Sequence, residues 1–169
     1  MGWRGARAGP RCGAIDDARG PRADVTEAGR AFRAPRRTLT VGLTFDTGAL
    51  IGLERSRHRM RKVYDTAVSC DVLITVPAVV VAEWWRSGFK EKERAQILRS
   101  LRVEPVTDLI ARLAGVALTL VAGAQTIDAI VMASASTRGH EVIYTSDPDD
   151  LLALRDGVPS FAALRIEQA

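Results

Sequence analysis

The sequence has 169 residues, enough for one domain, and a hydrophobic fraction of 47% that allows a substantial core. The formal net charge of +4 is uneven: residues 1–37 hold nine arginines and four acids, so the remaining chain carries a net charge of −1. Two cysteines and two histidines are too few for a thiolate or imidazole metal site, and the longest apolar run, residues 113–124, is shorter than the roughly 20 residues of a membrane span. We therefore expect no membrane partner.

Residues 1–37 are rich in Arg, Gly, Pro and Ala and contain almost no large apolar side chains. Such a segment buries too little surface to offset the entropy of ordering, so we predict a disordered leader followed by one folded domain over residues 38–169. An arm that binds RNA or a partner is one alternative, and a start codon placed too far upstream is another. The leader lacks the apolar core of a secretory signal, and we expect a cytoplasmic protein.

Short apolar runs alternate with helical patterns along the rest of the chain. Strands are predicted at residues 39–45, 72–76, 103–106, 142–145 and 164–166. Helices are predicted at residues 47–53, 59–69, 77–87, 90–101, 110–122 and 126–138, and another begins after residue 147. Helix 110–122 is nearly all aliphatic, so we expect it to be buried on most faces. The alternation predicts an α/β fold with a mostly parallel sheet between two layers of helices.

Four acids occupy marked positions in this plan. Asp46 ends the first strand, Asp147 follows strand 142–145, Asp128 opens a helix, and Glu83 lies on the helix after the second strand. In a doubly wound sheet the strand ends and the following helix starts converge on one crevice. Four carboxylates there would repel one another and raise one another's pKa. A divalent cation removes that conflict, and oxygen-only ligands suit Mg²⁺ or Mn²⁺.

The acids also have structural explanations. Helix capping, a favourable helix dipole or a turn before proline would account for Asp46, Asp128, Asp147, Asp149 and Asp150. Glu83 is harder to explain in this way, because it lies in a segment of valines and tryptophans where an acid needs a partner or a metal.

Four motifs in order connect the chain to a known family: FDTGALI, VPAVVVAEWWR, TIDAIVMASA and YTSDPDDL. With them, residues 38–167 resemble a PIN-domain ribonuclease, most closely the VapC-type toxins of toxin–antitoxin pairs. The resemblance implies a PIN-like α/β fold, Mg²⁺-dependent endonucleolytic cleavage of RNA, a homodimer, and neutralisation by a small cognate antitoxin that inserts a segment into the cleft. It assigns the catalytic and metal-binding roles to Asp46, Glu83, Asp128 and Asp147, with Asp149 and Asp150 as extra acids. The leader and the tandem Trp84–Trp85 depart from the family pattern.

The same reading assigns two supporting roles. Thr145 or Ser146 would orient the attacking water, and in-line hydrolysis would leave 5′-phosphate and 3′-hydroxyl ends. Positive charge for binding RNA would come from Arg55, Arg57, Arg59, Arg61, Lys62 and Arg86. A solvated helix face explains the run of charge equally well.

Two other functions use a similar pattern. A receiver-like signalling domain also places acids and Mg²⁺ at strand ends, but it needs a lysine after a late strand, and the lysines here are Lys62, Lys90 and Lys92. A PIN-like module that binds without cutting is the second alternative. Of the two adjacent tryptophans we expect one to be buried and the other to lie on a surface that a partner covers.

Overall fold

The computed structural model describes residues 42–85, 90–139 and 141–169, so the predicted leader lies outside the described residues. In chain order the elements are β1 (Leu43–Phe45), α1 (Thr47–Glu54), α2 (His58–Ser69), β2 (Ile74–Pro77), α3 (Ala78–Trp84), α4 (Glu91–Leu98), β3 (Arg102–Glu104), α5 (Asp108–Leu120), α6 (Thr126–Arg138), β4 (Val142–Thr145), α7 (Pro148–Gly157) and β5 (Arg165–Gln168). The predicted alternation of strands and helices is confirmed.

The five strands form one parallel sheet in the order β3-β2-β1-β4-β5. In the central pair Leu43 lies beside Val142 and Phe45 beside Tyr144, and on the other side of β1 Leu43 lies beside Ile74. Because all strands run the same way, their carboxyl ends share one edge of the sheet.

The strand order reverses between β1 and β4. From β1 the chain builds outward through β2 to β3, and it then returns to add β4 and β5 on the opposite side of β1. Right-handed crossovers place the helices before and after this reversal on opposite faces of the sheet, and they leave a crevice at the carboxyl ends of β1 and β4. Asp46 and Asp147 follow those two strands.

The core is largely aliphatic, as the low aromatic content predicts. Fully buried large side chains include Leu50, Met60, Ile143 and Leu151, with Phe45 and Phe161 as the aromatic members. Helix α6 is the most enclosed helix and meets its neighbours through small residues: Ala129, Ala133, Ser134 and Ala135. Small side chains let the backbone of α6 lie close to the adjacent elements.

The prediction that helix 110–122 is buried on most faces is wrong. The inner side of α5 consists of Ile110, Ala114 and Ala117, and it packs on α6. Its outer side carries Leu109, Val116 and Leu120, which are 59, 54 and 55% exposed. Apolar residues are spread around most of α5, but only one face of the helix has a packing partner among the described residues.

A buried ionic network fastens α6 to the sheet. The Arg138 guanidinium donates to Glu141 Oε1 (2.6 Å) and Oε2 (2.9 Å), to Glu104, and to the hydroxyl groups of Thr44 (2.8 Å) and Ser134 (3.0 Å). The side chains of Arg138, Glu104 and Glu141 are only 15, 12 and 5% exposed. Interactions with the two carboxylates outweigh burial and raise the pKa of Arg138, so it stays charged.

No helix in the described residues is long and apolar enough to cross a membrane.

Candidate active site

Asp46 ends β1 and caps α1. Its Oδ1 accepts a hydrogen bond from the N–H of Ala49 (2.7 Å), and its own N–H donates to the Tyr144 carbonyl oxygen on β4 (3.2 Å). The capping explanation of Asp46 is therefore confirmed. Burial raises the pKa of this carboxyl group, while hydrogen bonds from Thr145, Ala49 and Gly48 partly oppose the rise. A carboxylate that is half-desolvated gains from a nearby positive charge, so a capping role and a metal-binding role are compatible.

The turn between β4 and α7 lies directly against the first turn of α1. The Thr145 hydroxyl accepts from the N–H of Asp147 (3.0 Å), and its single proton is shared between the Asp147 carbonyl oxygen (3.1 Å) and the Asp46 carboxylate. A Cβ atom at position 48 would lie 2.7 Å from the backbone nitrogen of Ser146. Only glycine fits at Gly48, and this close approach brings Asp46 and Asp147 to one place.

Asp128 shows most directly that the acids converge. It lies in the first turn of α6 and is half-buried. Burial is the largest cause that raises its pKa, and the negative charges of Asp150, Asp46, Glu83 and Asp147 raise it further, to about 6. The structure thus brings the four predicted acids, together with Asp150, within electrostatic reach of one another.

The two extra acids differ. Asp147 and Asp150 are three residues apart, so they share one side of the first turn of α7. Asp149 is turned by about 100° from Asp150 around the helix axis, so it projects from a different side of the turn. Asp147 occupies the N-cap position of α7, and its side chain makes no capping hydrogen bond. Its carboxylate is therefore available to a ligand in the cleft.

Glu83 lies in the last turn of α3 and is exposed, because Val80 and Trp84 take the buried side of that helix. The expectation that apolar neighbours surround Glu83 is therefore wrong. Its partner is the Thr47 hydroxyl, which donates to Glu83 Oε2. Sequence reasoning missed this role of Thr47, although a hydroxyl directly after a strand-end acid is the signal that could have found it.

The donor set fits a hard divalent cation in its chemistry. All five acids supply carboxylate oxygens, and their shared negative charge favours Mg²⁺ or Mn²⁺. Among the described residues no three His, Cys, Asp or Glu side chains are already arranged as a formed metal site. Asp46 and Glu83 instead direct oxygens to Ala49 and Thr47. Metal binding therefore remains a prediction that requires these carboxylates to turn toward a shared ion.

Two of the predicted RNA-binding arginines form ion pairs with acids outside the cluster. The stretch from Arg55 to Lys62 covers the turn after α1 and the first residues of α2, and its arginine and lysine side chains are exposed. Arg59 points to β5, where it pairs with Glu167 (3.5 Å), while Arg61 pairs with Asp65 (3.1 Å) on its own helix. These ion pairs are more than one-third exposed on every side chain and are weak. Arg86 lies outside the described residues.

One cavity of about 250 Å³ lies between α1, α2 and α4, away from the acidic cluster. Its walls combine apolar side chains with charged ones: Leu53, Glu54, Arg61, Tyr64, Glu93 and Ile97.

No family model matches this sequence, and no curated protein does. Solved structures share its fold. A chain of DNA-bound VapBC from Salmonella typhimurium matches with a TM-score of 0.58 at 15% identity, covering 76% of this chain and 98% of that chain. VapBC2 from Rickettsia felis, bound to a DNA fragment from its promoter, gives 0.57 at 11% identity with coverage of 75% and 98%. A toxin–antitoxin complex from Klebsiella pneumoniae gives 0.53 at 16% identity with coverage of 70% and 94%. At these identities the likeness establishes the fold, and the predicted PIN-like α/β fold is confirmed.

Proposed function

We propose that this chain, which has the fold of chains found in toxin–antitoxin complexes, is a metal-dependent endoribonuclease toxin held inactive by a cognate antitoxin. The observation that carries the proposal is the cluster of five acids: Thr47, which follows Asp46, donates to Glu83, and burial first and then the charges of the other four acids raise the pKa of Asp128 to about 6. Structural needs explain single acids, such as the cap made by Asp46. They do not explain five like charges at the switch point of the sheet.

The residues have distinct roles in the proposed reaction. Asp46, Asp128 and Asp147 would hold Mg²⁺ or Mn²⁺, Glu83 would contribute through water, and Asp150 adds negative charge. The bound ion would polarise the scissile phosphate and lower the pKa of water. The chain's own part includes fixing Asp46 at the start of α1 through its hydrogen bond from the Ala49 N–H.

Water orientation falls to Ser146 rather than to Thr145. The Thr145 hydroxyl is engaged with the backbone of Asp147 and with the Asp46 carboxylate, so it positions those two acids. Ser146 is exposed and adjoins the first turn of α1. Its hydroxyl can hydrogen-bond a water at the phosphate, and in-line attack by that water leaves 5′-phosphate and 3′-hydroxyl ends.

Two protein partners belong to the proposal. An antitoxin segment that carries Arg or Lys would relieve the repulsion within the acidic cluster and would block RNA at the same time. A homodimer is supported by the outer face of α5, where three large apolar side chains are more than half exposed. We also propose that the protein acts in the cytoplasm, where its RNA substrate would be found.

The test is cleavage of RNA by the purified full chain. We expect cleavage with Mg²⁺, none in EDTA, and a loss of at least about 100-fold in Asp46→Asn. Asparagine caps helices as well as aspartate, so this variant removes the charge and keeps the cap. Asp108→Asn, an exposed acid on α5, is the matched control. Cleavage that survives EDTA or Asp46→Asn would contradict the proposal and favour a module that binds RNA without cutting it.

A further inference from the structure

Helices α1 and α3 are joined at two points along one face of α1. Thr47 and Glu54 are seven residues apart, which is about two helical turns, so both side chains project from the same face. At one point Thr47 donates to Glu83, and at the other Trp84 Nε1 donates to Glu54 Oε2 (2.8 Å). The two adjacent residues at the end of α3 thus contact opposite ends of α1.

Glu54 is the centre of the second contact. Its side chain is 8% exposed and accepts from Arg94 Nε (3.1 Å) and Nη2 (3.2 Å), with Lys90 Nζ at 3.5 Å. Burial alone would raise the pKa of Glu54, but hydrogen bonds from Arg94 and Trp84 outweigh it and lower the pKa. Glu54 is therefore ionised and holds side chains of both α3 and α4.

Trp84 is enclosed on several sides. It is 2% exposed, the Arg94 guanidinium lies 5.5 Å from its ring centroid, and Trp85 packs edge-on at 6.4 Å between centroids. The prediction that one of the tandem tryptophans is buried is confirmed for Trp84, while Trp85 is only half-buried.

The position of Glu83 depends on contacts of this kind, because they hold the end of its helix. It is exposed, α3 has only seven residues, and the helix ends at Trp85 in an extended conformation. A helix of this length has little stability of its own, so its last turn stays formed only where tertiary contacts hold it. Trp84 is the buried residue of that turn, it bonds Glu54, and it adjoins Glu83 in the chain.

We propose that Glu54 and Trp84 are positioning residues that hold the last turn of α3 so that the Glu83 carboxylate stays at the acidic cluster. The inference rests on the proposed function, since the place of Glu83 matters only if the cluster binds a divalent ion. Neither residue touches the reacting groups, and the effect on metal binding passes through Glu83.

Calorimetric titration of the full chain with MnCl₂ tests this, with thermal unfolding of the same samples. We expect Glu54→Ala and Trp84→Phe each to weaken Mn²⁺ binding about ten-fold, as is typical when a residue that supports a metal ligand is lost. Glu54→Gln keeps an oxygen that accepts from the indole N–H, so it should stay within about three-fold of the wild type. Asp108→Asn changes the net charge equally, lies on α5, and should bind Mn²⁺ as the wild type does.

A lower unfolding temperature with unchanged Mn²⁺ affinity would show that the pair merely stabilises the helices, and it would overturn the inference. If Glu54→Ala does not fold, Trp84→Phe decides, because it keeps a smaller buried aromatic ring and removes the N–H donor. Failure of the proposed function looks different: the wild type would then show no Mn²⁺ binding that depends on Asp46. That result removes both proposals, whereas binding that depends on Asp46 but ignores Glu54 and Trp84 removes this inference alone.

Discussion

At the scale of single residues, the acids are held together at a cost in stability. Asp128 is half-buried beside four other carboxyl groups, and its pKa is raised to about 6. A raised pKa means that the folded state binds the proton more tightly than the unfolded chain does. The ionised form therefore destabilises the fold in the absence of a cation.

Asp128→Asn should stabilise the metal-free protein at pH 7.5 by about 1 kcal/mol, after allowance for the solvent exposure of Asp128, and should abolish cleavage. The penalty is absent below the ordinary pKa of 3.8, grows as the pH rises toward about 6, and is complete above that. Thermal unfolding in EDTA at pH 7.5 and pH 4 measures it, and most of the advantage of the variant should be lost at the lower pH. An equal advantage at both pH values would show that charge repulsion is not its cause.

Gly48 offers a test of the close approach at the site. Gly48→Ala should cost about 1–3 kcal/mol, because a Cβ atom would meet the backbone of Ser146, and it should reduce cleavage by separating Asp46 from Asp147. Gly115→Ala on α5 is the control, since nothing lies within 4 Å of its Cβ position. That control should stabilise the protein by about 0.5–1 kcal/mol. Chemical denaturation compares the two, and similar effects would contradict the crowding at position 48.

At the scale of elements, the attachment of α6 to the sheet uses ion pairs as well as apolar packing. Its first turn carries Asp128, and its last residue, Arg138, is fixed to β1, β3 and the start of β4 through Thr44, Glu104 and Glu141. This network sets the position of α6 along the sheet and so the height at which Asp128 enters the cluster.

Arg138→Met should cost about 3–5 kcal/mol, because Glu104 and Glu141 would remain buried without a positive partner. Arg112→Met removes the exposed pair with Asp108 and should cost less than about 1 kcal/mol. Urea unfolding measures both. Replacing Arg138, Glu104 and Glu141 together by apolar residues should recover most of the loss, and a triple variant as unstable as Arg138→Met would contradict the account of unpaired charge.

At the scale of the whole molecule, the distribution of charge decides where RNA could be bound. The chain beyond residue 37 has a net charge of −1, so phosphate contacts must come from local groups of arginines. The basic residues after α1 are exposed, and the ion pairs of Arg59 and Arg61 are weak enough to exchange for phosphate.

RNA binding weakens as salt is added, and the slope of log K against log salt concentration measures this dependence. Replacement of Arg57, Arg59 and Arg61 by Gln should make that slope shallower by about 2. Binding is measured in an Asp46→Asn background, where RNA would not be cut, across a series of salt concentrations. The control replaces Arg99, Arg102 and Arg112, which are also exposed and change the charge equally. A slope that falls equally in both triple variants would mean that only net charge matters.

The sequence by itself determined the α/β alternation, the parallel sheet and the placement of Asp46, Asp128 and Asp147 at the edge where the strands end. These features follow from local periodicity and from the rule that parallel strands end together, so no contact between distant residues is needed to predict them. The tertiary structure alone decided the rest: the exposed outer face of α5, the exposure of Glu83, the separate ion-pair partners of Arg59 and Arg61, and the contributions of Gly48, Glu54 and Asp150. Each of these depends on which helices meet and at what distance, and long-range packing fixes that choice where local patterns leave it open.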